Sequence, residues 1–272
     1  MLPVTSRPLD LARPAPRAAS PAVAAPRSVA TPDKPGQSNE SYDGHLVGGD
    51  GNAYPPSTRL EDVPPVRPQS GAGRGTLVFV NGMGETRASD AAQLQRVANG
   101  TGMNVVGVYN ATEGTLKDLV QCLKDKLDLG TNKAVDSLAD LVYSKVKAGE
   151  PVRVMAHSQG ALITQRALQD VQNRLMVEDG MTRAEAQRAM SKVGVETFGG
   201  AGSSFVDGPK YVHYVNRSDI VPMAFGVGAP GSHPGAGAKV VAFGWLNPFG
   251  GLFGGKAHDT STYFEHYKPF PA

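Results

Sequence analysis

From about residue 75 the chain alternates two hydrophobic patterns. Thr76-Leu77-Val78-Phe79-Val80 and Asn104-Val105-Val106-Gly107-Val108 are short apolar runs of the kind that form buried strands. Leu116, Leu119, Val120, Leu123 and Leu127 recur at helical spacing behind Thr115, a cap with Asp118 three residues on. A second helical stripe covers about 133 to 148, with Val135, Leu138, Leu141, Val142 and Val146 on its inner side. Gly149 and Pro151 end that helix, and Val152-Arg153-Val154-Met155 opens a strand. Ala161, Leu168, Val171 and Leu175 then share one helical face, and Thr182-Arg183-Ala184-Glu185 is a capping box that starts a short helix. Val193 to Phe198, Tyr211 to Val215 and Lys239 to Phe243 predict three more strands. Alternating strands and helices with short connections define an α/β fold, a mostly parallel sheet flanked by helices on both faces. Such sheets bind ligands at the carboxyl ends of their strands.

The first 70 residues follow neither pattern. Thirteen prolines, from Pro3 to Pro68, are interleaved with Ala, Ser, Gly and Arg. A segment with so few large apolar residues does not repay the entropy of ordering it, so residues 1–70 are expected to be a disordered tail and linker and residues 71–272 the folded domain. If part of the tail packs, it is Leu46 to Val66, which holds a few apolar residues. No continuous apolar stretch marks a secretory signal, and the regular prolines break the amphipathic helix of a transit peptide. In composition the Ser/Pro-rich start resembles the export signals of bacterial type III secretion effectors. A cytoplasmic protein with a plain linker or tether stays open beside export by such a non-classical route.

Charge and composition exclude some classes. The net charge of +2 is too small and too evenly spread to argue for nucleic acid as a partner. The single cysteine, Cys122, excludes an internal disulfide and falls in an amphipathic helical pattern as a packed thiol. No apolar run approaches the ~20 residues that a transmembrane helix needs. No His/Cys/Asp cluster has metal-ligand spacing, so neither metal nor cofactor is expected.

The chemistry centres on Ala156-His157-Ser158-Gln159-Gly160, which follows a predicted strand and opens a predicted helix. This is one residue from the G-x-S-x-G elbow, where a tight strand-to-helix turn pushes a serine hydroxyl out of the sheet. Small flanking residues are needed because the backbone folds back on itself. Gly160 satisfies this, and Ala156 adds one methyl where glycine is expected.

With Val78-Phe79-Val80-Asn81-Gly82-Met83-Gly84, Asn216-Arg217-Ser218-Asp219-Ile220-Val221-Pro222, and His258 ahead of Tyr263, that pentapeptide makes the chain from about 75 onward resemble the α/β-hydrolase superfamily, in particular its lipase- and esterase-like members. The order matches: an oxyanion loop after an early strand, then serine, acid and histidine. The resemblance implies a nucleophilic Ser158, a base that accepts its proton, and an acid that orients the base.

Of the six histidines, His45 lies in the tail and His157 is expected to point elsewhere on the turn. His213 alternates within a strand as a structural histidine, and His233 precedes a proline in a glycine-rich loop. His258 and His266 follow the last predicted strand, with His258 preferred as base. Asp219 is the expected acid, because the apolar Ile220-Val221-Pro222 after it argues for burial beyond an ordinary turn aspartate. Glu196, inside a strand, is the fallback. The backbone N–H groups of Met83 and Gln159 are the expected oxyanion donors.

Residues 225–256 combine ten glycines with Trp245, Leu246, Phe249, Leu252 and Phe253. Trp245 to Phe253 reads either as core or as a glycine-hinged apolar loop that contacts an acyl chain and, transiently, a membrane surface. The expected function is hydrolysis of a small-molecule or lipid carboxylic ester through an acyl-enzyme. The same triad also suits a thioesterase, amidase or acyltransferase, and a non-catalytic binding protein with this fold is the third class.

Overall fold

The computed structural model describes residues 40–111, 132–245 and 255–270. The expected helix behind Thr115, Cys122, residues 246–253 of the apolar loop and residues 1–39 of the tail lie outside these residues. Among the described residues there are eight strands: β1 (Leu46–Val47), β2 (Ala53–Tyr54), β3 (Thr76–Val80), β4 (Asn104–Val108), β5 (Val152–His157), β6 (Val193–Phe198), β7 (Lys210–Asn216) and β8 (Lys239–Phe243). The helices are α1 (Arg87–Thr101), α2 (Lys133–Lys147), α3 (Gln159–Val177), α4 (Arg183–Ala189), α5 (Ile220–Ala224), α6 (Gly255–His258) and α7 (Thr260–Phe264). The fold is α/β, as the alternating pattern predicts. Among the described residues no helix is long and apolar enough to cross a membrane.

All eight strands form one sheet in the order β2-β1-β4-β3-β5-β6-β7-β8, parallel from β4 to β8 and antiparallel where β1 joins β2 and β4. After β3 the chain moves outward to β4, then returns to place β5 on the other side of β3. That reversal is a topological switch point, and crevices for ligands open there, beyond the strand carboxyl ends. Val80 and Ala156 are partners in the register, so the residues that follow them, Asn81-Gly82-Met83 and His157-Ser158, emerge side by side.

Strand alternation sends side chains to two cores. Val78, Val80, Val106, Val154 and Ala156 face Leu138, Val142, Leu168 and Val171 of α2 and α3. Leu77, Phe79, Val105, Met155 and Phe198 face Leu94 and Val97 of α1 and the C-terminal Tyr263. The extra methyl of Ala156 is thus packed into the first core, which accounts for alanine where the elbow pattern expects glycine.

Residues 40–70 correct the expected boundary at 70. β1 pairs with β4 at Leu46↔Val108, Val66 bridges Val105, and Tyr42, Leu46, Val47, Ala53, Tyr54, Val63 and Val66 are buried. The prolines contribute through their carbonyls: Gly49 N–H donates to Pro64 O at 2.7 Å. A side chain at Gly49 would collide with Pro65 O, 2.5 Å from its Cβ. His45 is likewise part of the folded unit, edge-on to Tyr42 with ring centroids 5.5 Å apart.

Candidate active site

Ser158 directly follows β5 and is the N-cap of α3, with φ 56° and ψ −124°. Among the described residues it is the only non-glycine at positive φ. Such a conformation costs about 1–3 kcal/mol and persists where the surroundings enforce it, often at functional sites. Three backbone bonds do so here: Ser158 N–H donates to Phe198 O at 3.1 Å, while Ser158 O accepts from Ala161 at 3.1 Å and Ala201 at 3.0 Å. Close packing does the rest. A Cβ on Gly160 would lie 2.3 Å from Val80 O, and one on Gly82 would lie 3.0 Å from Ser158 Cβ. Glycine is required at 160, and at 82 it spares a tight contact, so that α3 and the β3 loop close around the serine.

Asp219 follows β7 through the turn in which Asp219 N–H donates to Asn216 O at 3.0 Å. It is buried, and three donors fix its carboxylate. Val221 N–H donates to Oδ1 at 3.0 Å, capping α5, while Tyr263 Oη–H and His258 Nδ1–H both donate to Oδ2 at 2.6 Å. Gly199 makes room for this cluster, since a Cβ there would sit 2.9 Å from both Asp219 Oδ2 and Tyr263 Oη. The Tyr263 phenol is pushed strongly upward by burial and by the Asp219 charge, so it stays a donor. A carboxylate oxygen accepts, so His258 donates from Nδ1, and in the neutral imidazole Nε2 is then the free lone pair. Nε2 is buried and has no hydrogen-bond partner among the described residues, Ser158 included. The acid–histidine half of the expected triad is closed; the serine–histidine bond is not.

Ser158 and His258 line the same cleft, of about 270 Å³. The other candidates are elsewhere. His266 stacks on Phe243 with centroids 3.8 Å apart. His213 is satisfied by Thr197 Oγ1 at 2.8 Å and Pro234 O at 2.9 Å, as a structural histidine should be. His233 pairs at the surface with Asp207. Glu196 is buried within β6, bonded to Arg153 at 2.5 Å, and burial pushes its carboxyl up to about 7.

The β3 loop is oriented by side chains that sequence reasoning did not single out. Asn81 Nδ2 donates to Gly82 O at 2.8 Å and to Asn110 O at 2.9 Å, and Asn110 N–H donates to Asn81 Oδ1 at 2.8 Å. Asn110 Nδ2 donates to Gly82 O at 3.2 Å and to Gln159 Oε1 at 2.8 Å. Two buried amides therefore hold the Gly82 carbonyl. In a trans peptide the next N–H points the opposite way, so the Met83 N–H is directed away from this network. Met83 lines the cleft. Gln159 opens α3, where the first N–H groups have no intrahelical acceptor. Asn110 thus tethers the carbonyl of the Gly82–Met83 peptide and the side chain of Gln159.

His157 departs from expectation. It does not turn away: it lines the cleft, its Nε2–H donates to His258 O at 2.9 Å, and the two rings are 4.8 Å apart. Burial, reinforced by the neighbouring His258 imidazole, pushes it down to about 4, so it is neutral at pH 7. The remaining wall is polar, built by Glu85, Gln93, Arg96, Asp259 and Thr260. Gln93 donates to Glu85, whose carboxyl burial raises above the usual range. Trp245, at the start of the apolar loop, is 89% exposed. No protein-family model and no curated protein matches the chain.

Proposed function

We propose that this protein is a serine hydrolase of carboxylic esters, built on an α/β-hydrolase type of arrangement. Ser158 is the nucleophile, His258 the base, Asp219 the orienting acid, and the Met83 and Gln159 N–H groups the oxyanion donors. The observation that carries the reading is the Asp219–His258 bond of 2.6 Å, which leaves a buried, unpartnered Nε2 in the cleft that Ser158 enters on a strained turn.

In this mechanism Nε2 takes the Ser158 proton as Oγ attacks the ester carbonyl, and Asp219 stabilises the imidazolium that forms. The oxyanion is met by donors already fixed by Asn110 and the helix start; losing one such donor typically costs about 3 kcal/mol of transition-state stabilisation. Protonated His258 then gives its proton to the leaving alcohol, and an acyl group remains on Ser158. Water, activated by the same Nε2, releases the acid. Among the described residues Met83 is the only apolar side chain lining the cleft, which favours small or polar esters over long acyl chains.

A shared acyl-enzyme makes a distinct prediction. Ethyl, phenyl and p-nitrophenyl butyrate, hydrolysed in the presence of methanol, should give one common ratio of methyl butyrate to butyrate. A ratio that changes with the leaving group would mean direct attack by water and no acyl-serine.

A further inference from the structure

The cleft holds two buried hydrogen-bond acceptors that the mechanism above does not use. His157 is 7% exposed, and its Nδ1 has no partner among the described residues. Its protonation is fixed by geometry. The His258 carbonyl only accepts, so His157 must donate from Nε2, and Nδ1 is then a bare lone pair. Gln93 is 5% exposed; its Nε2 is spent on Glu85, and its Oε1 is likewise unpartnered. Buried polar atoms are nearly always paired, and two orphans in one cleft are acceptors waiting for a donor. His157 Nδ1 also lies near the nucleophile. A Cβ built on Gly82 would be 3.5 Å from both Nδ1 and Ser158 Oγ.

The side of the scissile bond follows from His258. It hands its proton to the leaving oxygen, so the leaving alcohol must lie against it, and the His157 ring is packed on the His258 ring. Asp259 and Thr260, directly after His258, continue the same polar wall.

We infer that the leaving group is a polyol with two free hydroxyls close to the ester oxygen, one donating to His157 Nδ1 and the other to Gln93 Oε1. The inference rests on the serine-hydrolase reading and narrows its substrate class. A site with buried acceptors rejects an analogue that lacks the donor, because the acceptors are then left desolvated and unpaired.

2,3-Dihydroxypropyl butyrate and 2-methylbutyl butyrate test this, since they differ only by hydroxyl against methyl at two positions. The full-length protein should prefer the dihydroxypropyl ester by at least ~10-fold in kcat/KM. Gln93→Met and His157→Phe should each bring that ratio toward one. Fluorophosphonate labelling of Ser158 separates the two ways to fail. If Ser158 labels and both esters turn over equally, the polyol inference is wrong and the hydrolase reading stands. If Ser158 does not label and neither ester is cleaved, the hydrolase reading itself fails. A wild-type preference that survives Gln93→Met would overturn the assignment of the acceptors even if His157→Phe does not fold.

Discussion

Ester turnover should fall by about 10⁴-fold or more in Ser158→Ala and in His258→Ala, with thermal unfolding nearly unchanged. Ser158 supplies the attacking oxygen and His258 the proton relay, so removing either leaves only binding and the oxyanion donors. Neither change should disturb the fold. Ser158→Ala keeps the same Cβ at φ 56° and removes only the hydroxyl, and in His258→Ala the Val221 N–H and Tyr263 Oη–H still hold the Asp219 carboxylate. Because the two act as one unit, the double variant should be scarcely worse than either single one. Steady-state rates with p-nitrophenyl butyrate read this directly. A His266→Ala variant that loses turnover while His258→Ala keeps it would mean that the base has been misassigned.

A chain that begins at residue 71 should be severely destabilised, although its missing segment reads as a linker. Seven apolar side chains between Tyr42 and Val66 are buried, and burying one is worth about 1.5–3 kcal/mol. Even partial loss approaches the ~5–15 kcal/mol that a domain has in total. The edge of the sheet is lost as well. Leu46 and Val47 pair with Val108 and Gly107, and Tyr109 N–H donates to His45 O at 3.0 Å. We expect the melting temperature to fall by more than ~10 °C, or cooperative unfolding to disappear. Removing only residues 1–39, which are dominated by Pro, Ala and Ser, should change it far less. An unchanged melting temperature in the chain starting at 71 would show that the buried contacts of residues 40–70 contribute little.

The two halves of the chain were unequally legible for physical reasons. The strands β3, β4 and β6 coincide with β-branched runs because a strand buried on both faces is apolar at most positions, whereas β8 is an exposed edge strand marked by Val240, Val241 and Phe243. The burial of Asp219 was legible through its neighbours: Val221 and Pro222 are buried as their apolar character predicts, and they draw the aspartate inside with them. Residues 40–70 were not legible. β1 and β2 have two residues each, too few for any periodicity, and they exist because β4 offers an unpaired edge. Asn110, Gln93 and Arg96 carry no local motif, and only the switch point between β3 and β5 brings them to Ser158. His157 was misjudged for a related reason. Its ring direction is set by the carbonyl of His258, which is 101 positions away in the chain.

The central claim is that Ser158 is a nucleophile activated by its surroundings, and a fluorophosphonate probe with peptide mapping tests it most directly. Rapid, stoichiometric labelling is expected at Ser158 alone. The labelling should vanish in Ser158→Ala and slow sharply in Asp219→Asn, whose amide cannot hold His258 in the Nδ1–H tautomer. Equal labelling of Ser158→Ala, or a wild-type protein that stays unlabelled while fully folded, would contradict it.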